Sequence, residues 1–251
     1  MSELDSLMNT VSCMDGIELM KQLPDKSVDA YITDLPYATT SLIWDEIIPF
    51  APMWAEVKRT LKPRGVFVTT ASQPFTSKLV MSNPSWFRCE WIWDKRKAGN
   101  IFLAKYQPLK VHENILVFSS DRHIYNPQMK KGFLRTKRNT GNSIWGGGDK
   151  TTGILSNDDF FPKSIIEFYN SNLLGKEHPT QKPVALYEYL IRTYTQPDNL
   201  VVDFCCGSGT TALAARNLGR RFIAGDITSD YVDIARDRLA EAYTPLFPAF
   251  L

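Results

Sequence analysis

The sequence predicts an α/β fold, doubly wound on both faces of a mostly parallel sheet. Three observations carry this. Six short β-rich runs recur, at Val28–Asp34, Gly65–Ala71, Trp91–Lys95, Ile115–Ser119, Leu200–Cys206 and Arg221–Ile227. Several are continuously apolar rather than alternating, as parallel strands covered on both faces require. Helical patterns lie between or beside them, and strands alternating with helices build a doubly wound sheet.

The elements follow in chain order. Val28–Ile32 reads as a buried strand that delivers Thr33, Asp34, Leu35, Pro36 and Tyr37 at its carboxyl end. A helix over Pro52–Leu61 stops before Pro63. Pro183 starts a helix whose Tyr187, Leu190, Ile191 and Tyr194 share one stripe. The last helix takes Thr228 or Ser229 as N-cap and buries Tyr231, Ile234, Ala235, Leu239 and Ala242. Residues 120–175 break the rhythm. They hold Tyr125-Asn126-Pro127, Gly146-Gly147-Gly148 and scattered Arg, Lys, Asn and Thr, which predicts a loop-rich insertion. The division is therefore 1–119, an insertion at 120–175, and 176–251. No repeat, heptad pattern or low-complexity segment interrupts it.

Composition is that of a globular protein, with 43% hydrophobic and 22% charged residues in 251. No apolar run reaches the length of a membrane-spanning helix, and MSELDSLMNT has neither the basic start nor the apolar centre of a secretion signal. No membrane association and a cytoplasmic location are the expectations. Adjacent Cys205 and Cys206, with Cys13 and Cys89, suit neither a disulfide framework nor a metal site, so reduced thiols and no metal are expected. Net charge is only +2, yet Lys95 to Arg138 holds eleven basic residues and two acidic ones. A basic middle on an acidic body suggests a face that meets a polyanion; a solvated basic loop is the plainer reading.

Two segments carry chemistry. Asp34-Leu35-Pro36-Tyr37 places a carboxylate, a main-chain carbonyl and an aromatic ring at a strand's carboxyl end, where open α/β sheets bind ligands. Leu200 to Ala212 reads as a strand, a glycine turn and a helix start. Gly207 and Gly209 let the backbone approach a ligand, the helix start favours a negative group, and Asp226 ends the next strand where a ribose would be held. Alone this fits a dinucleotide-binding oxidoreductase almost as well as a methyltransferase; a P-loop is excluded because no Lys follows the glycines. Phe204 and Cys205 suit core packing under the turn as well as ligand contact.

His178-Pro179-Thr180-Gln181-Lys182-Pro183 adds the deciding motif. With Asp34-Leu35-Pro36-Tyr37 before it and Phe204 to Thr211 after it, the chain resembles the DNA amino-methyltransferases, which methylate adenine N6 or cytosine N4. The order, with the clamp motif first and the glycine loop last, is that of the beta class. The resemblance implies a class I fold of seven strands in permuted order, with the insertion as target-recognition region, S-adenosylmethionine as cofactor and double-stranded DNA as partner. A homodimer is the assembly it suggests. It implies that Asp34 and the Leu35 carbonyl, in the Asp34-Leu35-Pro36-Tyr37 turn, accept the target amino hydrogens while Tyr37 stacks on the flipped base. Asp203, Phe204, Cys205, Gly207, Gly209 and Thr210 would line the cofactor site, Asp226 would hold its ribose, and Asp15 would lie near its adenine. Thr180 and Lys182 would reach the methionine end, Lys182 against its carboxylate. Leu35 departs from the family's usual proline but supplies the same carbonyl.

An exocyclic amine is a poor nucleophile because its lone pair is delocalised, and two acceptors can localise that pair for attack on a methyl group. The base must first leave the duplex. Cytosine C5 chemistry is disfavoured, since no cysteine follows a proline. Trp44 reads as core. Lys95, Arg96 and Lys97 are placed to hold phosphates, and His112-Glu113 resembles a family element. Arg135, Lys137, Arg138, Asn139 and Asn142 have the chemistry for base contacts. Asp34, where serine more often accompanies cytosine, favours adenine N6. RNA or protein-glutamine methylation is disfavoured by motif order, and a non-enzymatic DNA-binding regulator is the remaining rival.

Overall fold

The computed structural model describes residues 3–37, 47–139, 153–169 and 181–241. Trp44, Asn142, Gly146–Gly148, His178, Pro179, Thr180 and Ala242 lie outside them. The chain divides into two compact units, Met1–Asn126 with Ser164–Leu251, and Pro127–Lys163.

The larger unit contains α1 (Glu3–Leu7), β1 (Thr10–Cys13), α2 (Gly16–Lys21), β2 (Val28–Thr33), α3 (Phe50–Thr60), β3 (Leu61–Ala71), α4 (Phe75–Ser82), β4 (Phe87–Asp94) and β5 (His112–Phe118). The smaller unit holds β6 (Lys130–Asn139) and β7 (Gly153–Phe160). The larger unit resumes with β8 (Ile165–Glu167), α5 (Val184–Tyr194), β9 (Leu200–Asp203), α6 (Thr210–Asn217), β10 (Arg221–Asp226) and α7 (Ser229–Glu241).

The doubly wound, mostly parallel sheet is present, with strand order β1-β10-β9-β2-β3-β5-β4-β8. It has eight strands rather than seven, because Ile165–Glu167 adds alongside β4. β5 alone runs against its neighbours. The central strands are largely apolar because their residues enter cores on both faces. In β2, Ala30 and Ile32 pack under α5, α6 and α7, while Val28 and Tyr31 pack under α2, α3 and α4.

All six expected strands form. β1 and β8 carry too few residues to show a period, so pattern reading missed them. α3 starts two residues early, at Phe50. α5 begins after Pro183 and buries Tyr187, Leu190, Ile191 and Tyr194 as expected. In α7 the buried residues are Val232 and Ala235, whereas Tyr231, Ile234 and Leu239 are half-buried. The insertion is narrower and more regular than expected: residues 120–126 and 164–169 belong to the larger unit, and β6 and β7 form an antiparallel ladder.

Candidate active site

β9 and β2 are neighbours at the centre of the sheet, but their connections diverge. β9 continues through α6 to β10 on one side, and β2 continues through α3 to β3 on the other. The carboxyl ends of two such strands frame the crevice where open α/β sheets bind ligands. A cavity of about 680 Å³ opens there, and Asp34 to Tyr37 and Asp203 to Ser208 both line it. Both motifs thus meet at one place.

The Asp34 carboxyl has three partners. Oδ1 accepts hydrogen bonds from Tyr37 Oη at 2.8 Å and from Thr70 Oγ1. Oδ2 lies 2.5 Å from Lys182 Nζ. Lys182 Nζ is 3.7 Å from Glu113 Oε2, and Glu113 Oε1 is 2.9 Å from Lys95 Nζ. Two carboxylates and two ammonium groups therefore alternate beneath the cavity. Burial pushes the Glu113 carboxyl up, but Lys182 and Lys95 outweigh it and hold the group below its usual range. Burial opposes the charge on Lys182, and Asp34 and Glu113 more than restore it. A carboxylate offers roughly four acceptor positions. Asp34 uses three, leaving room for one incoming N–H.

Leu35 is 3% exposed and packs in the α2–α3–α4 core, with its N–H 3.5 Å from Thr69 Oγ1. Leucine thus replaces the rigidity of proline with burial. The Tyr37 ring stands 5.3 Å from Phe75, and Lys182 Nζ lies 5.7 Å from its centroid.

The glycine loop forms the facing wall. Gly207 and Gly209 have φ of 48° and 74°, values that favour glycine, and Gly209 caps α6. A Cβ on Gly209 would come within 2.7 Å of Ala235 Cβ, so the loop also packs tightly on α7. Asp226 accepts from Gly207 N at 2.8 Å and from Thr228 N at 2.9 Å. Beside it Ile17, Ile227 and Tyr231 line the cavity. Apolar walls next to the carboxylates of Asp15 and Asp226 fit an adenosine, a flat ring carrying a diol.

Several expected site residues serve the framework. Asp15 lines the cavity while capping α2, accepting from Ile17 N at 2.9 Å and Glu18 N at 3.1 Å. Asp203, 3% exposed, accepts from Thr33 Oγ1 at 2.7 Å, Thr211 Oγ1 at 2.6 Å and Cys205 N at 3.3 Å. It ties β2, β9 and α6 together, and burial pushes its carboxyl up to about 7 against those bonds. Phe204 borders the cavity but stacks in the core, 5.9 Å from Tyr31. Cys205 Sγ lies 2.9 Å from Thr33 Oγ1, and burial pushes its thiol well up. Lys182 Nζ contacts Asp34, while its own carbonyl accepts from Thr210 Oγ1 at 3.5 Å.

The expected phosphate contacts also change. Lys95 is buried against Glu113, and Arg96 pairs with Glu167, so of the three only Lys97 is an exposed cation with its charge uncommitted to a carboxylate in the ion pairs found. Arg135, Lys137 and Arg138 fall on β6, in register with Asn157, Leu155 and Ile154. Pattern reading missed Thr70, which contacts Asp34, and Tyr187, which it assigned to the core stripe. Tyr187 is 2% exposed and lines the cavity, and its hydroxyl has no hydrogen-bond partner among the described residues.

A glycine loop and a carboxylate clamp facing each other across the switch point of a parallel sheet define a nucleotide-cofactor enzyme of the class I methyltransferase fold. Residues 28–237 match the family described as DNA methylase, the N6/N4 amino-methyltransferases, and the chain belongs to it. It is 48% identical over 253 residues to the type II methyltransferase M2.DpnII of Streptococcus pneumoniae, covering 90% of this chain and 87% of that protein. The fold is that of the M1.HpyAVI complex with S-adenosylmethionine, with TM-score 0.63, 24% identity, and 92% and 98% of the two chains covered. It is also that of the cytosine-N4-specific PvuII DNA methyltransferase, with TM-score 0.67, 19% identity, and 96% and 87% covered. The chain is a beta-class DNA methyltransferase, and its cofactor is S-adenosylmethionine. Among the described residues no cluster of metal-ligating side chains occurs, and no helix is long and apolar enough to cross a membrane.

Proposed function

We propose that this chain methylates adenine N6 at a specific sequence in double-stranded DNA, and that Asp34 is the residue that engages the target amine. The observation that carries the reading is Asp34 itself: a carboxyl group at the cavity floor, 2.5 Å from Lys182 Nζ and with one acceptor position to spare. Bound S-adenosylmethionine supplies an activated methyl group; Gly207, Gly209, Thr210 and Asp226 would hold it. Asp34 and the Leu35 carbonyl orient the amine and draw its N–H bonds toward tetrahedral geometry, and the Asp34 carboxylate takes the proton released afterwards. Tyr37 offers a ring for the extruded base, and the smaller unit supplies base contacts from β6.

Cytosine N4 is the second reading, favoured by the fold shared with a cytosine-N4 enzyme. Nucleoside mass spectrometry of DNA incubated with the protein separates the two. N6-methyladenine is the expected product, and N4-methylcytosine alone would overturn the adenine assignment. Mapping the methylated positions gives the recognition sequence.

A further inference from the structure

Between β4 and β5, residues 99–110 form a lobe whose chemistry the site has not absorbed. Asn100 fastens it shut: its amide donates to Pro108 O at 3.0 Å and accepts from Lys110 N at 2.6 Å. Gly99 N donates to Lys110 O at 3.1 Å, and a helical turn spans Ile101–Leu103. The lobe is thus built by its own hydrogen bonds. It nevertheless turns its apolar side chains outward. Phe102 is 98% exposed, Tyr106 85%, Ile101 64% and Leu109 49%. A folded lobe that presents large apolar groups to water marks an interaction surface.

Two observations identify the occupant. The first is charge: residues 95–111 contain five basic residues and no acidic one. Lys97 and Lys105 are exposed beside the apolar groups. Lys95 and Arg96 are paired with Glu113 and Glu167, which leaves Lys97 and Lys105 as the exposed cations flanking an apolar cluster that itself carries no carboxylate, a combination that complements a polyanion whose interior is apolar. The second is location. Lys110 Nζ donates to Ser72 Oγ, just beyond β3, and Lys95 N donates to Val111 O at 2.8 Å. Lys95 continues through Glu113 and Lys182 to Asp34. The lobe therefore stands on the same ion-pair chain that holds the Asp34 carboxylate, at the sheet edge where the target base must arrive.

We propose that this lobe inserts into the DNA duplex beside the target, with Phe102 entering the stack where the extruded base leaves a gap. Removing a base costs its stacking and pairing, and a rigid apolar side chain recovers part of that by filling the space. Lys97 and Lys105 bind the flanking phosphates. The inference rests on the DNA methyltransferase activity.

Phe102→Ala tests it with little risk to folding, because the side chain supports nothing beneath it. Two oligonucleotide substrates carry the mapped site, one perfectly paired and one with the target base mismatched so that extrusion is already favoured. The ratio of kcat/KM between mismatched and perfect duplex should widen about tenfold in the variant, the scale of one lost stacking partner. On the perfect duplex, 2-aminopurine at the target position should show a smaller fluorescence rise on binding. An unchanged ratio and an unchanged rise would overturn the proposal. So would a variant whose only defect is conversion of a dimer to a monomer by light scattering, since the lobe would then face a second copy. Failure of the parent protein to methylate either duplex would instead count against the activity itself.

Discussion

Asp34 shows how one residue gathers meaning from others far along the chain. Its motif was legible in the sequence because a carboxylate, a turn and an aromatic ring arrive together after a buried strand. Its electrostatic setting was not. Lys182 lies 148 positions away and Glu113 sits on another strand, and only the fold brings them within ion-pair reach. The contact of Lys182 with Asp34 was not legible, because a lysine near a carboxylate-bearing cofactor and a lysine near Asp34 look identical in one dimension. Tyr187 was hidden for a similar reason: its helical spacing matched the core stripe, and spacing does not report where a hydroxyl ends. Asp34→Ala should abolish methyl transfer while isothermal titration still detects cofactor binding; retained turnover would remove Asp34 from the chemistry. Lys182→Met leaves two half-buried carboxylates short of their shared cation. It should cost about 1–3 kcal/mol of stability, the usual penalty for a charged group that loses its partner, read as a lowered urea midpoint. An unchanged midpoint would show the network to be energetically idle.

Elements were legible where packing dictates composition. The central strands β2, β9 and β10 are buried on both faces and so are largely apolar, whereas β1 and β8 are short and carry little pattern. β6 and β7 are polar enough to have read as loop, and their backbones pair in an antiparallel ladder. The glycine loop was read correctly because its turn demands φ values that other residues resist. Gly209→Ala meets both the left-handed backbone and Ala235, a combination that should cost about 1–2 kcal/mol from the backbone alone. The expected result is a lower melting temperature together with at least partial loss of cofactor affinity. Normal affinity and stability would mean the loop relaxes without consequence.

Across the whole molecule, Asp203 gives stability a recognisable pH dependence. Its carboxyl is pushed up to about 7 in the folded protein, above the ordinary 3.8. A group raised in this way contributes stability that is fully present below the unfolded value and lost as pH rises through the folded one. Urea unfolding of the parent minus that of Asp203→Asn should therefore decline between about pH 4 and pH 7; a flat difference would contradict the raised value. Charge is the other property of the whole. Lys95 is spent on its half-buried pair with Glu113, so its neutralisation should perturb folding, whereas Lys97→Gln should reduce the salt dependence of DNA binding by about one counterion. An unchanged slope would take Lys97 off the phosphate backbone.

The central seam of the sheet also governs how the chain is made. β2 meets β3 early in synthesis, but its other edge pairs Ala30 with Val201, and β1 finds its neighbour only at Ile223. A nascent chain must therefore carry a half-built sheet with an open parallel edge until most of its length has emerged. Open edges recruit other strands, and long-range parallel pairing is slow. The same seam that creates the catalytic crevice thus leaves one edge of β2 without its partner strand until β9 has been made.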